Sequence, residues 1–123
     1  MRGKNVLELG AGGALPSMVC ACNQAKKVLS LWGQNLTKVV ITDYPDTELL
    51  ENIRYNVING GLDEDVKARI AVEGYLWGSD VTTLLSHLEL NTKFNVVILS
   101  DTVHIASSVT DERCSIILNI KLL

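Results

Sequence analysis

Residues 5–12 read Asn-Val-Leu-Glu-Leu-Gly-Ala-Gly, an apolar run that breaks abruptly into Gly10-Ala11-Gly12-Gly13 and is followed by Pro16. A buried strand that ends in a glycine turn and leads into a helix presents free backbone N–H groups and a positive dipole end to a ligand. Without side chains, Gly10 and Gly12 allow a tight turn and close approach of that ligand. Glu8 lies inside the apolar run, and a buried carboxylate requires partners. The expected partners are the N–H groups of the turn itself, which Glu8 would hold in shape. A dinucleotide fingerprint is Gly-x-Gly-x-x-Gly, and the third glycine position here is Leu15, which weakens a nicotinamide or flavin reading.

Three more positions carry chemical potential. Asp43, in Thr42-Asp43-Tyr44-Pro45-Asp46, ends a second apolar run, where a carboxylate can accept bonds from both hydroxyls of a ribose. It lies 33 residues after Gly10, against the usual spacing of about 20. Asp43 could equally form the turn before Pro45. Trp77, in Tyr75-Leu76-Trp77-Gly78, follows a third strand-like run, where an indole could pack on an adenine ring or serve as a core or rim aromatic. Ser100-Asp101 follows a fourth such run. Ligands of open α/β sheets sit beyond the carboxyl ends of the strands, where strand order reverses, so Asp101 points at the reaction centre. A helix N-cap is the other reading of Asp101.

The elements that must position these residues alternate. Strands are expected at Asn5–Leu9, Lys38–Thr42, Lys67–Val72 and Phe94–Leu99. Helices are expected from Pro16 to about Lys26 and over Asp46–Asn59, the second with Asp46 as N-cap, Leu49, Ile53 and Val57 at helical spacing, and Gly60-Gly61 as its stop. A third helix, capped by Ser79 or Asp80, carries Leu84, Leu85 and Leu88. This order predicts an α/β layered sheet of about four or five mostly parallel strands with right-handed crossovers. Residues 28–36 are surplus to the rhythm, and the tail from Ile105 to Leu123 departs from it.

Composition narrows the function classes. A chain of 123 residues, 47% of them hydrophobic, suits one domain with a core. A net charge of −3 disfavours nucleic acid and acidic membrane as partners. The apolar run after Met1-Arg2-Gly3-Lys4 is too short for a signal peptide, and a membrane span needs about 20 residues, so a cytoplasmic location is expected. Cys20, Cys22 and Cys114 form no Cys-x-x-Cys pair and have no ligand spacing to His87 or His104, so no metal is expected.

Together these segments resemble the S-adenosylmethionine-dependent methyltransferases built on a seven-stranded Rossmann-like sheet. Within them they resemble the lysine-methyltransferase-like branch called family 16. The carrying phrases are Val6-Leu7-Glu8-Leu9-Gly10-Ala11-Gly12 with Ala14-Leu15-Pro16-Ser17, Val40-Ile41-Thr42-Asp43-Tyr44-Pro45-Asp46, Asn52-Ile53-Arg54-Tyr55-Asn56-Val57, Gly74-Tyr75-Leu76-Trp77-Gly78 and Val97-Ile98-Leu99-Ser100-Asp101. The likeness is greatest to a fungal group acting on the N-terminus and a lysine of translation elongation factor 1-alpha. The resemblance implies that Glu8, Gly10, Ala11, Gly12, Asp43, Tyr44, Trp77 and Ser100 bind S-adenosylmethionine. Gly10 to Gly12 would line its methionine part, Asp43 would hold its ribose and Trp77 would lie by its adenine. It implies that Asp101 faces the acceptor amine of a protein substrate.

Family members carry an N-terminal segment before the first strand and further strands ending in an antiparallel hairpin. Residues 1–123 therefore read as a single partial domain, an incomplete three-layer sandwich, with 28–36 as an insertion and 105–123 as a divergent tail. Where the family shows an aromatic and an Asn-His pair after Ser100-Asp101, this chain has Thr102-Val103-His104-Ile105. Two other readings compete: a catalytically inactive remnant that binds cofactor, and a nicotinamide-dinucleotide oxidoreductase domain.

Overall fold

A computed structural model describes residues 4–25 and 38–99. Val6, Leu7, Val39, Val40 and Ile41 are buried on both sides of their strands, which requires a layer above and below. That requirement is met by one four-stranded parallel sheet with the order β3-β2-β1-β4. The strands are β1 (Asn5–Leu9), β2 (Val39–Asp43), β3 (Ile70–Gly74) and β4 (Phe94–Leu99). The helices are α1 (Leu15–Ala25), α2 (Thr47–Asn59) and two single turns, α3 (Glu64–Lys67) and α4 (Thr82–Leu85). The expected insertion at residues 28–36 and the expected divergent tail at 105–123 lie outside the described residues.

Strand period sorts the side chains into two cores. Val6, Val39 and Ile41 meet Ala14, Met18 and Ala21 of α1 and its approach, and Ile53 and Val57 of α2. Small residues on the inner stripe of α1 let the helix lie close to the sheet. On the opposite face Leu7, Leu9 and Val40 meet Tyr75, Leu84 and Phe94. Strand order runs outward from β1 to β2 to β3, then crosses back to β4 on the other side of β1. The order therefore reverses between β1 and β4, where open α/β sheets carry their ligands. Asn5 ties the opposite end together. Its side chain donates to Lys93 O and accepts from the Lys38 N–H, while its own N–H donates to Asn95 Oδ1.

Most expected elements appear within a residue of their predicted bounds, and two differ. The third strand starts at Ile70, because Asp63-Glu64-Asp65-Val66-Lys67 forms a helical turn with two acids at its start and a 2.8 Å Lys67–Glu64 ion pair. The third helix shrinks to α4, one turn. The N-cap of α4 is Val81, without a side-chain cap, and not Ser79 or Asp80 as expected; Asp80 stands just before it, its Oδ1 accepting from the Thr82 hydroxyl at 2.7 Å and the Thr82 N–H at 3.0 Å, which holds its carboxyl below its ordinary range. Leu84 is buried, while Leu85 and Leu88 are partly buried against the same core. Asp46 caps α2 as expected, its Oδ1 accepting from the N–H groups of Glu48 and Leu49. Leu49, by contrast, is exposed.

Gly74 ends β3 opposite Asp43, and a Cβ there would stand 2.9 Å from Pro45 Cβ and 3.0 Å from Pro45 Cα. The segment Tyr44-Pro45 after β2 thus packs on β3 backbone. Gly74→Ala is expected to destabilise the fold by about 1–3 kcal/mol, the range for overpacking a tight contact. Urea unfolding checks this: the midpoint should fall with the slope unchanged, and an unmoved midpoint would refute the contact.

Candidate functional site at the carboxyl ends of β1 and β2

The chain leaves β1 by an unusual path. Gly10, Gly12 and Ala14 have positive φ, at 68°, 53° and 60°. Two of the three are glycines, which enter the left-handed region freely, but Ala14 does so against its Cβ. Alternating φ sign over these residues winds the backbone tightly enough for α1 to begin at Leu15. A Cβ built on Gly12 or Gly13 would meet nothing within 4 Å, so the outer side of the turn is open.

Neighbouring elements fix this path. The Ala11 N–H donates to Thr42 O at 3.0 Å, and the Thr42 hydroxyl donates back to Glu8 O at 2.7 Å, stitching β1 to β2 at their tips. The Gly12 N–H donates to Asp43 Oδ2 at 2.8 Å. The side-chain amide of Asn56, on α2, donates to Gly13 O at 3.3 Å. Within the turn, the Ala14 N–H donates to Ala11 O at 2.8 Å.

Asp43 is thus both anchor and acceptor. Oδ1 takes the N–H of Tyr44 at 2.7 Å and Oδ2 takes that of Gly12. A carboxylate offers about four lone-pair directions, so two remain for an outside donor pair such as adjacent hydroxyls. Tyr44 beside it is exposed, with its ring available at the rim.

Glu8 is wholly buried on the α1 side of the sheet. Burial, and then the nearby Glu8, push the Cys20 thiol above its ordinary pKa. The bonds described above draw the turn toward β2 and α2. Thr42 and Asn56 are the residues that sequence reading missed. Their signals were faint: a hydroxyl next to Asp43 in an apolar strand, and an asparagine inside a helix it does not favour.

Trp77 follows β3 at the same edge of the sheet and is partly buried against the Leu7, Leu9 and Leu84 core. Its loop is shaped locally, with Gly78 at φ 88° and the Tyr75 hydroxyl donating to Ser79 O at 3.0 Å. His87 Nε2 meets Glu73 Oε1 at 2.7 Å, fastening the end of this connection to β3. The structure thus brings Gly10, Ala11, Gly12 and Asp43 together and sets Tyr44 and Trp77 along the same edge. Ser100 and Asp101 lie outside the described residues. Among the described residues no group of three His, Cys, Asp or Glu side chains could hold a metal ion, and no helix is long and apolar enough to cross a membrane.

The chain is similar to known proteins in sequence and in fold. The sequence pattern of a family described as lysine methyltransferase matches residues 1–116. A protein N-terminal and lysine N-methyltransferase (EFM7) of Candida glabrata is 45% identical over 100 residues, covering 81% of this chain and 34% of the relative. Proteins of the same name from Cryptococcus neoformans and Eremothecium gossypii are each 46% identical, over 29% and 36% of their own length. The chain therefore spans about a third of these relatives. The glycopeptide N-methyltransferase MtfA, solved in complex with S-adenosyl-L-methionine, superposes with a TM-score of 0.60 at 18% identity, over 96% of this chain and 41% of MtfA. The methyltransferase domain of bacterial CtHen1 gives 0.61 at 12% identity, over 92% of this chain and 48% of that one. The fold is the Rossmann-like α/β fold of methyltransferases, and by sequence the chain belongs to the lysine methyltransferase family.

Proposed function

We propose that this chain is the cofactor-binding part of an S-adenosylmethionine-dependent protein N-methyltransferase. Its acceptor would be the N-terminal amine or a lysine of a protein such as translation elongation factor 1-alpha, which implies a cytoplasmic location. In this reading residues 1–123 form one partial domain, and β3-β2-β1-β4 is the first part of a seven-stranded sheet. The observation that carries the proposal is the Asp43 carboxylate held 2.8 Å from the Gly12 N–H at the adjacent tips of β1 and β2, next to the β1–β4 boundary where strand order reverses. The names of the relatives support the acceptor class.

The residues fit such a cofactor. The open side of Gly12 and Gly13 admits the amino-acid part against bare backbone. Asp43, already oriented by two N–H donors, offers its remaining lone pairs to ribose hydroxyls, and Tyr44 and Trp77 supply flat apolar surface for the base. When bound, the sulfonium supplies a methyl group to an amine lone pair by direct displacement, so the protein's task is alignment and exclusion of water. The acceptor amine must be neutral. An N-terminal amine, with a pKa of about 7.7–8.0, reaches that state more readily than lysine at about 10.4. Ser100 and Asp101 follow β4 directly, and we assign Ser100 to the cofactor and Asp101 to orienting the acceptor.

Calorimetry with S-adenosylmethionine, S-adenosylhomocysteine and NAD tests the assignment. Binding of the sulfur nucleosides alone is expected, with Asp43→Ala weakening it roughly ten- to hundredfold, the worth of charge-assisted hydrogen bonds. NAD binding would select an oxidoreductase domain instead, and no binding at all a remnant without cofactor. In a methyl-transfer assay, Asp101→Asn should lower turnover while leaving cofactor affinity within about twofold; equal loss of both would remove Asp101 from the acceptor side.

A further inference from the structure

Ala14 is a residue with a side chain in a left-handed conformation, φ 60°, at the point where the turn becomes α1. Such a residue relaxes toward negative φ unless its surroundings over-determine it. The peptide plane joining Gly13 to Ala14 sets that angle, and it is held at both edges. On one edge the Ala14 N–H donates to Ala11 O at 2.8 Å. On the other, the Gly13 carbonyl accepts from Asn56 Nδ2 at 3.3 Å. The first bond belongs to the turn itself and would be lost with it. The second comes from α2, 43 residues away in sequence.

The reach of Asn56 is itself fixed. α2 ends at Asn59 with Gly60 as its C-cap, and a Cβ on Gly60 would meet the tip of the Met18 side chain of α1 and the Asn56 carbonyl of α2 itself. Ile53 and Val57, flanking Asn56 along α2, are buried in the core shared with α1. Asn56 is half-buried and has no role in that core, which leaves its amide free to act on the turn.

We propose that Asn56 is a positioning residue that clamps the Gly13–Ala14 peptide plane and thereby keeps Ala14 left-handed, so that the glycine turn stays in its ligand-ready shape. The inference rests on reading the turn as the cofactor site. Asn56 does not touch the ligand; it sets the fraction of molecules whose turn can receive one, and affinity falls in proportion to that fraction.

The test is a double-mutant cycle read by S-adenosylhomocysteine binding and by amide hydrogen exchange. Asn56→Ala should weaken binding about five- to tenfold, the equivalent of one net hydrogen bond. Asn56→Asp keeps the shape, removes the donors and sets a carboxylate oxygen against the Gly13 carbonyl, so its loss should be at least as large. Ala14→Gly removes the penalty on positive φ, so in that background Asn56→Ala should change affinity by no more than about twofold. Equal losses in the two backgrounds, or unchanged affinity in both Asn56 variants, would overturn the proposal. Without ligand, Asn56→Ala should speed exchange of the Ala14 amide about five- to tenfold while the amides of Cys20 and Cys22 keep their rates. An unchanged Ala14 rate would overturn the clamp. If the unmodified chain binds no sulfur nucleoside, the cofactor reading fails, and the exchange rates still decide the role of Asn56.

Discussion

Between Leu9 and Leu15 the backbone must pass from strand to helix within a few residues, and it does so with positive φ at Gly10, Gly12 and Ala14. Left-handed backbone is inexpensive for glycine and costs roughly 1–2 kcal/mol for alanine. Hydrogen bonds worth about 1 kcal/mol each offset that cost: Ala11 to Thr42, Gly12 to Asp43, Asn56 to Gly13. Because three bonds from two different elements act on one short turn, its conformation is set by where β2 and α2 lie. That dependence runs through the whole described fold. The parallel register of β1 with β2 brings Leu9 level with Thr42 and so places Asp43 beside the turn. Slippage by one residue would separate them.

The same geometry explains how the sheet divides its work. At one edge Asn5 bridges the starts of the strands with purely structural bonds. At the other, strand tips carry Gly12, Gly13, Asp43 and the exposed Tyr44, which belong to neither core. Glu8 is the exception, a buried acid inside the sheet. Its proximity to Cys20 adds to the larger effect of burial in raising the thiol's pKa. Leu15 in the third glycine position departs from the dinucleotide fingerprint.

Long-period signals were legible in the sequence and short-range competition was not. β1, β4 and α2 could be read because their apolar spacing coincides with their boundaries: Gly10 stops β1, and Asp46 and Gly60 bracket α2. The start of β3 was misplaced because Val66 continues the apolar alternation into the strand, while Asp63-Glu64-Asp65 charges the start of a helical turn. Leu49 matched the helical stripe yet faces solvent, because the stripe narrows to Ile53 and Val57 where α2 meets the sheet. At the site, Gly10, Gly12 and Asp43 were legible from type and position. Thr42 and Asn56 were not, because their parts depend on register and helix spacing, which only the assembled fold supplies.

Under the proposed function, anchoring and recognition coincide at Asp43. A lone carboxylate on a loop would spread over several rotamers and lose affinity in ordering them. Here the N–H groups of Gly12 and Tyr44 order it before any ligand arrives. Its charge strengthens both bonds, and its unused lone pairs keep fixed directions. A neutral amide in its place would accept only one N–H and would oppose the second with donors of its own. The turn and the carboxylate therefore depend on each other: Asp43 draws the glycine turn toward β2, and a disturbed turn would free the carboxylate. Under the proposed function, the order of a few backbone amides and the affinity for hydroxyl donors would be two readings of the same pair of bonds.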